Sequence, residues 1–507
     1  MGVAPLDIRR PVAVIGAGTM GEGIAQVAAA AGHSVFLMDA APGAVERAIE
    51  TIAARLQRSV EKGRMPADAR EALLGRLVPA KDVSDLAGAG LAIEAIVEDV
   101  SAKQALFSSL EGVLDDDAIL ATNTSSLSVT AIASTCRLPG RVVGMHFFNP
   151  APVMALVEVV SGLASDAAVA ATVAETARAW GKEPAHCRST PGFIVNRVAR
   201  PFYGEALRIV EEGVADPATV DALLSGGAGF RMGPFALMDL IGIDVNLAAN
   251  EGVWQGMNLD PRYAPTALQR EMVAGSRLGR KTGRGYYDYG EDATPPAPRY
   301  ASAAPAPASV TLHGEGAAAD TLAARAAENG IAVNREEGKS LALDIDDTRV
   351  SASDGRPAAL RWADEAARAD VLVDHVRDWS AASAIALSPA PQADDAAADA
   401  ASGFFQALGF NVAVVGDSPG LVVLRTMAMI ANEACSAGET GVCDAAALDL
   451  AMRKGTNWPV GPLAWADTLG APSLLGVQEN LLSVFGSDRY RPQPWLRRAA
   501  ASGARLS

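Results

Sequence analysis

The sequence predicts an α/β domain, then an all-α domain, and then a shorter, altered copy of both. Three observations support this architecture. Short apolar runs alternate with helical runs from residue 11 onward, a helical region spans residues 190–290, and the later part of the chain repeats the earlier part at a constant offset. With 507 residues, of which 50% are hydrophobic, the chain can bury several cores.

The first element is a short buried strand, residues 11–16 (PVAVIG), which leads into a glycine-rich turn. Gly16, Gly18 and Gly21 open a helical run that ends at Gly32. In a dinucleotide-binding βαβ unit the first glycine makes a tight turn and the second lets the backbone approach the pyrophosphate. The third glycine lets helix and strand pack closely, and the anionic group rests on the helix N-terminus. The pattern therefore predicts a Rossmann-type dinucleotide-binding domain.

The next strand, residues 33–38, ends at Asp39, which lies 23 residues after Gly16. This spacing suits a carboxylate that binds the adenosine ribose hydroxyls. Residues 40–42 are Ala-Ala-Pro and include no Arg for a 2′-phosphate. The sequence therefore favours NAD over NADP as the cofactor.

A histidine stands in the segment 144–150 (GMHFFNP), between an apolar run and a turn that contains proline. Glu158 follows His146 by twelve residues, inside the apolar run 155–160. An imidazole can take up a proton near neutral pH, and a carboxylate on its other nitrogen fixes the tautomer. The pair predicts a general base with its orienting partner; taken alone, it also fits a core histidine and a solvated strand glutamate.

Five motifs together carry a family resemblance: GAGTMG at 16–21, NTSS at 123–126, HFFNP at 146–150, Glu158, and PGFIVNR at 191–197. With them the chain resembles the NAD-dependent 3-hydroxyacyl-CoA dehydrogenases over residues 11–290. The resemblance implies oxidation of a (S)-3-hydroxyacyl-CoA to a 3-oxoacyl-CoA with NAD as cofactor.

The resemblance also implies roles for individual side chains. It makes His146 the base and Glu158 its partner, and it lets Ser125 and Asn196 hydrogen-bond the reacting oxygen of the substrate. It places five residues around the cofactor: Glu98, Lys103, Ser125, Asn149 and Lys281. From the residues alone, Ser125 also fits a helix N-cap, and Lys281 also fits an exposed turn.

Charge and composition limit the partners. The formal net charge of −16 argues against nucleic acid, because no basic stripe is present. An acyl-CoA still needs cations for its phosphates, and Arg58 and Lys62, with Arg55 and Arg64 nearby, are the candidates in the helical run after the second strand. A solvated helix face explains the same residues.

The cysteines and the apolar runs bear on the compartment. The chain has four cysteines without CxxC or metal-ligand spacing, so we expect a reduced, cytoplasmic protein without a metal. Residues 1–10 contain no hydrophobic signal segment, and no apolar run approaches the length of a membrane span.

The second half of the chain is an imperfect duplicate of the first. Residues 189–197 match 417–425, and residues 210–224 match 438–452, both at an offset of 228 positions. The predicted organisation, in chain order, is a Rossmann domain at 1–188, a helical domain at 189–290, a Pro/Ala-rich, semi-rigid linker at 291–309, a degenerate, truncated Rossmann-like segment at 310–416, and a second helical domain at 417–507. We call residues 1–290 the first lobe and residues 310–507 the second lobe.

The second lobe lacks the residues that the chemistry needs. Leu424 stands where the first lobe has Asn196, and Ala319 stands at the third glycine position after Gly314 and Gly316. We expect the second lobe to be inactive, His375 to be a surface or packing histidine, and the helix around 421–437 to cover that around 193–210. The chain could also form homo-oligomers. Two-lobed relatives resemble enzymes for 3-hydroxyadipyl-CoA in phenylacetate breakdown or for 3-hydroxybutyryl-CoA.

Two other functions are compatible with the fold. A 3-hydroxyacid dehydrogenase with a catalytic lysine would need a lysine where this chain has Asn196. A non-enzymatic NAD-binding structural protein would not need Ser125, His146, Glu158 and Asn196 to be kept together, while their counterparts in the second lobe are lost.

Overall fold

The chain forms two compact units in a computed structural model that describes residues 3–294, 296–338 and 340–507. The first unit contains residues 1–197 and 440–456, and the second contains residues 198–439 and 457–507. Within the described ranges, no helix combines the length and the apolar character needed to cross a membrane. The predicted domain boundaries stay a prediction.

Eight strands and seven α-helices are interspersed along the described chain up to residue 198. They are β1 (Val12–Ile15), α1 (Thr19–Ala30), β2 (Val35–Met38), α2 (Ala44–Glu61), α3 (Ala67–Leu74), β3 (Leu77–Ala80), β4 (Leu91–Glu94), α4 (Val100–Glu111), β5 (Ile119–Thr122), α5 (Val129–Ala133), β6 (Val142–Phe147), β7 (Leu156–Ser161), α6 (Ala167–Ala179), β8 (Glu183–Arg188) and α7 (Val195–Val198).

Five helices come next, then a second series of strands, and then five more helices. The helices are α8 (Arg200–Glu211), α9 (Pro217–Gly226), α10 (Pro234–Ile241), α11 (Ile243–Gly256) and α12 (Ala267–Ala274). The strand region has β9 (Ser309–His313), α13 (Ala317–Glu328), β10 (Ala332–Glu336), β11 (Ala342–Ile345), β12 (Thr348–Ala352), α14 (Ala358–Trp362), β13 (Val371–Val373), β14 (Ala384–Pro389), α15 (Asp395–Ala407) and β15 (Asn411–Val414). The last helices are α16 (Val423–Glu439), α17 (Ala445–Gly455), α18 (Pro462–Leu469), α19 (Ala471–Phe485) and α20 (Pro494–Ser502).

The first unit is built on an eight-stranded sheet in the order β3-β2-β1-β4-β5-β6-β7-β8. Strands β1 to β6 are parallel, β7 runs antiparallel to β6, and β8 runs parallel to β7. The strand order reverses between β1 and β4, and ligands of open parallel sheets bind at such a point. The predicted Rossmann-type domain is confirmed.

The predicted helix around residues 193–210 is interrupted. Helix α7 ends at Val198, and α8 begins at Arg200 with Pro201 in its first turn. Proline has no N–H to bond the preceding turn, and its ring obstructs the carbonyl four residues earlier, so a new helix starts there. The periodicity of the apolar residues does not reveal this break, because it continues across both helices.

The second unit holds a seven-stranded mixed sheet in the order β10-β9-β11-β12-β13-β14-β15. Strands β9 and β10 are parallel and joined by α13, so the first βαβ unit of a Rossmann domain survives. Gly314 keeps a positive φ of 97°, as Gly16 does with 105°. The predicted degenerate Rossmann-like segment is confirmed.

Backbone conformation also confirms the duplication. Phe193 and Leu421, 228 positions apart, are both left-handed non-glycine residues, with φ of 47° and 54°. Gly242 and Gly470 repeat a positive φ at the same offset, 105° and 87°. Composition alone does not repeat such rare conformations at one spacing.

Helices α8 and α16 pack against each other inside the second unit, as predicted for the two helical domains. The Arg425 guanidinium is fully buried there, with Nε 2.8 Å from a Glu205 oxygen and Nη1 2.6 Å from a Glu212 oxygen. Separating the two helices would leave a buried carboxylate without its partner, which is strongly destabilising. The ion pair therefore stabilises the packing of α8 against α16.

Residues 296–308, within the predicted semi-rigid linker, are hydrogen-bonded to neighbouring elements. The Ala301 N–H donates to the Val412 carbonyl at 2.7 Å, and the Ala304 N–H donates to Gln406 Oε1 at 2.9 Å. The segment therefore packs on β15 and α15 inside the second unit. A Pro/Ala-rich composition predicts an extended backbone, and an extended backbone also has free N–H groups that a neighbouring element can bind.

Removing residues 290–507 should convert the remaining chain into a dimer or an aggregate. The truncation uncovers the apolar face of α8 and leaves Glu205 without Arg425. Light scattering on fragment 1–289, beside the full chain at equal concentration, measures this. A well-behaved monomer would show that the second lobe shields nothing on α8.

Candidate active site

The glycine turn after β1 leaves room for a dinucleotide at the N-terminus of α1. A Cβ on Gly16 would lie 2.4 Å from the Ala95 carbonyl oxygen, and one on Gly21 would lie 1.7 Å from the Gly16 oxygen. In the described part of the chain, a Cβ on Gly18 would meet no atom within 4 Å. The first and third glycines are therefore needed for packing, and the second faces open space where a phosphate group fits.

Asp39 stands beside this turn at the end of β2. One carboxylate oxygen accepts the Ala17 N–H at 2.6 Å, and the other accepts the Ala41 N–H at 2.8 Å. The side chain is thus fixed next to the glycine turn and half-exposed. The turn, the open helix terminus and the acid together fit a nicotinamide dinucleotide.

His146 and Glu158 face each other across β6 and β7. The two residues are direct partners in the antiparallel register, so their side chains lie on the same side of the sheet. His146 Nδ1 and Glu158 Oε2 are 2.6 Å apart, and both side chains are buried. Because a carboxylate only accepts, Nδ1 carries the proton and Nε2 is left as the basic nitrogen.

Glu158 also holds the backbone that follows β8. Its Oε1 accepts the Ile194 N–H at 3.0 Å and the Val195 N–H at 2.9 Å. The same carboxylate therefore orients the imidazole with one oxygen and anchors the start of α7 with the other. Asn196 is the next residue, so the anchor also positions its amide.

Two phenylalanines pack on the imidazole. The ring centroid of Phe148 lies 4.6 Å from that of His146, and the centroid of Phe193 lies 5.8 Å away. These rings restrict the rotation of the imidazole and keep water from most of it.

Glu98 organises the loop that carries Ser125. Its Oε1 accepts from the Thr124 hydroxyl and from the backbone N–H groups of Ser125 and Ser126. Burial acts to raise the pKa of Glu98, but these hydrogen bonds and the Lys103 ammonium outweigh it and lower that pKa. The Glu98 carboxylate is therefore kept in its ionised form, in which it accepts these hydrogen bonds from the loop.

Ser125 is not a helix N-cap: Ser128 caps α5 instead, by accepting the Ala131 N–H. The structure brings Asn196 to Ser125, with Asn196 Nδ2 3.5 Å from the Ser125 carbonyl oxygen. Ser125 and Asn149 are exposed, and Asn196 is half-buried.

The remaining predicted residues are exposed or paired with a neighbouring carboxylate. Lys281 belongs to the second unit, where its ammonium pairs with Asp244 at 2.6 Å. Arg58 and Lys62 are exposed at the end of α2. Arg55 is engaged with Glu22 at 2.5 Å, which leaves it less suited to a phosphate.

Sequence reasoning missed three residues that support the site. Glu94 is fully buried and pairs with Lys103 at 2.5 Å. Asn123 Oδ1 accepts the Phe147 N–H at 2.8 Å, and the buried Lys182 ammonium donates to the Ala151 and Met154 carbonyls. The available sequence signal for Glu94 was its position as a charged residue inside an apolar run. The sequence around Lys182 contains no such signal.

The second lobe keeps part of the same arrangement with different residues at the positions of the pair. Asp374, 228 positions after His146, accepts the N–H groups of Val422, Val423 and Leu424, and burial raises its pKa to about 6. Its neighbour across the sheet is Ala386, at the position of Glu158. The backbone anchor is kept and the imidazole–carboxylate pair is gone. His375 contacts the Ser353 carbonyl at 3.1 Å and is a packing residue.

A dinucleotide-binding unit with an oriented, buried histidine defines a nicotinamide-dependent oxidoreductase. Models of the family match most of the chain: the 3-hydroxyacyl-CoA dehydrogenase NAD binding domain at residues 11–190, the C-terminal domain at 192–289 and 420–505, and the 3-hydroxybutyryl-CoA dehydrogenase reduced Rossmann-fold domain at 350–419. The chain belongs to the 3-hydroxyacyl-CoA dehydrogenase family, and its cofactor is NAD.

Individual relatives agree with this. A 3-hydroxyadipyl-CoA dehydrogenase of Escherichia coli K12 is 43% identical over 96% of this chain and 97% of its own length. A crystal structure of 3-hydroxybutyryl-CoA dehydrogenase from Escherichia coli K12 superposes with a TM-score of 0.89 and 42% identity, over 98% of this chain and 99% of that one. A 3-hydroxybutyryl-CoA dehydrogenase of Clostridioides difficile is 41% identical over 55% of this chain and 99% of its own length.

Proposed function

We propose that this chain oxidises a (S)-3-hydroxyacyl-CoA to the 3-oxoacyl-CoA with His146 as the general base. The observation that carries the proposal is the buried His146–Glu158 pair, 2.6 Å apart, in the same unit as the glycine turn. In this reaction His146 Nε2 takes the proton of the 3-hydroxyl group, and the Glu158 carboxylate stabilises the imidazolium that forms. Bound NAD supplies a hydride acceptor. In the reverse direction the imidazolium returns the proton to the substrate oxygen.

Ser125 and Asn196 are the residues that would hold the reacting oxygen. The Ser125 hydroxyl and the Asn196 amide can both donate hydrogen bonds, and the two residues are neighbours. The cofactor would be held by the glycine turn and by the side chains Asp39, Glu98, Lys103, Asn149 and Lys281. Arg58 and Lys62 are proposed for the CoA phosphates, because both are exposed cations on α2.

We propose a linear acyl-CoA substrate, 3-hydroxyadipyl-CoA or 3-hydroxybutyryl-CoA, and a cytoplasmic location. Both acyl groups are supported, because full-length Escherichia coli relatives carry each of the two printed names. We also propose that the chain can form homo-oligomers. The test follows NADH absorbance with 3-oxoadipyl-CoA and with acetoacetyl-CoA. No turnover of either would refute the proposal, and a higher kcat/KM for one identifies the acyl group.

Replacing Asn196 by Ala should lower activity, whereas replacing Leu424 by Ala should affect stability only. Leu424 is fully buried, and a Leu→Ala change in a core costs about 2–5 kcal/mol. Steady-state kinetics and thermal unfolding on both variants measure this. The reverse pattern would place the active centre in the second lobe.

Asp39 should determine the choice between NADH and NADPH. Its carboxylate can bind the free ribose hydroxyls and repels a 2′-phosphate. We expect the wild type to prefer NADH strongly and Asp39→Ala to narrow that preference, measured as the ratio of the two kcat/KM values. Equal kcat/KM for the two cofactors in the wild type would contradict the role of Asp39.

A further inference from the structure

We propose that the second lobe, although inactive, supplies a structural part of the active centre: helix α17, through Gly455, positions the side chains that hold the His146–Glu158 pair. The proposal rests on the proposed role of His146 as the base. Gly455 is a positioning residue, since it touches neighbours of the pair and not the reacting atoms.

The segment that contains α17 belongs to the first compact unit although it comes from the second lobe. Residues 440–456 cluster with residues 1–197. The Arg188 N–H, at the end of β8, donates to the Val442 carbonyl at 2.9 Å. The Lys454 ammonium pairs with Glu183 at 2.7 Å at the other end of β8, so the segment 440–456 is attached at both ends of that strand.

Gly455, the last residue of α17, makes the closest approach to the site. A Cβ added there would lie 2.5 Å from Leu156 Cδ2, 3.1 Å from Val195 Cγ2 and 3.7 Å from Phe148 Cζ. The helix backbone therefore packs directly on these three side chains. Any residue with a Cβ would force at least one of them to move.

Each of these three neighbours is linked to the catalytic pair. The Phe148 ring packs on the His146 ring with a centroid distance of 4.6 Å. The Val195 N–H donates to Glu158 Oε1 at 2.9 Å. Leu156 lies on β7 two residues before Glu158 and on the same side of the strand. A displacement at Gly455 therefore reaches both members of the pair.

The same arrangement recurs without chemistry at Gly227, 228 positions earlier. A Cβ on Gly227 would lie 2.7 Å from the Leu223 carbonyl oxygen, 3.1 Å from the Ala384 carbonyl oxygen and 3.3 Å from Val423 Cγ2. Val423 corresponds to Val195, and the sheet it adjoins carries Asp374 and Ala386 in place of the pair. Helices α9 and α17 are thus exchanged between the lobes, and only α17 packs against a functional site. Gly227 is therefore a matched control.

The test compares Gly455→Val with Gly227→Val in the full-length protein. We expect Gly455→Val to lower kcat by about tenfold to a hundredfold, since small misplacements at a site have effects of that size, with NADH affinity changed by less than about twofold. Gly227→Val should lower the unfolding temperature at least as much as Gly455→Val does, because its closest contact is a backbone oxygen, and should leave kcat within about twofold of wild type. Equal kcat losses in both variants, or none in folded Gly455→Val, would overturn the proposal.

Two further measurements keep the test decisive. If Gly455→Val does not fold, Gly455→Ala should lower kcat, and adding Leu156→Ala should restore part of it by removing the contacting Cδ2; an unchanged kcat in Gly455→Ala would contradict the proposal. The ¹⁵N resonances of the His146 ring should shift in the Gly455 variant and not in the Gly227 variant. No shift, or a shift without loss of kcat, would overturn the positioning role of Gly455. Loss of kcat in Gly455→Val beside an unchanged kcat in His146→Gln would instead refute His146 as the base.

Discussion

His146→Gln should lower kcat by about two to four orders of magnitude, the usual contribution of general acid–base catalysis. NADH binding should stay nearly unchanged, because the glycine turn and Asp39 are separate from β6 in the sheet order. Gln has no group that can take a proton at neutral pH, but it fills a similar space and keeps the strand pairing. Steady-state kinetics give kcat, and NADH fluorescence gives the affinity.

The matched control is His375→Gln in the second lobe. His375 hydrogen-bonds the Ser353 carbonyl and is a packing residue. We expect its replacement to affect stability and to leave kcat close to the wild-type value. If His146→Gln retained more than about half of wild-type kcat, the general base would have to be another residue.

Glu158→Gln should reduce kcat almost as far as the loss of His146 itself. The Ile194 and Val195 N–H groups need an acceptor, so the amide oxygen of Gln would turn toward them and its NH₂ group toward His146 Nδ1. The NH₂ group donates, so the ring proton would move to Nε2 and remove the basic nitrogen. A comparable change of tautomer in the serine protease triad costs about 10⁴ in kcat.

The two backbone contacts raise the expected loss for Glu158→Gln, because an orienting contact alone would leave the base in place. Asp374→Asn is the matched control, since Asp374 anchors the corresponding N–H groups without an imidazole. Asp374→Asn should lower the unfolding temperature and leave kcat close to the wild-type value. A Glu158→Gln enzyme with more than about a tenth of wild-type kcat would contradict the predicted tautomer change.

Local sequence patterns were enough to predict the first half of the site. The glycine turn, its strand and Asp39 lie within 30 residues, and their spacing is set by one βαβ unit. The His146–Glu158 pair was predicted through the family resemblance. The connection between β6 and β7, residues 148–155, does not by itself fix the register that places the two residues opposite each other. Adding the 228-residue offset to the position of His146 identifies Asp374 as its altered counterpart in the second lobe.

Contacts between distant parts of the chain could not be predicted from such patterns. Glu158 binds the N–H groups of residues 36 and 37 positions away, and Gly455 meets Leu156 across about 300 positions. The bond between the Ala301 N–H and the Val412 carbonyl depends in the same way on which surfaces meet after folding. Composition indicates that a segment is extended or apolar, but it does not indicate which distant segment that surface contacts in the folded protein.

The central claim is that each chain has one active centre, in the first lobe, and that the second lobe has lost its own. Titration of the full-length protein with NADH, followed by fluorescence, tests this most directly, because the glycine turn at Gly16 and the altered turn at Gly314 would each add a site. We expect one NADH bound per chain, and none with a Gly18 variant whose side chain fills the open space at the turn. Two NADH molecules per chain, or binding that survives that variant, would contradict the claim.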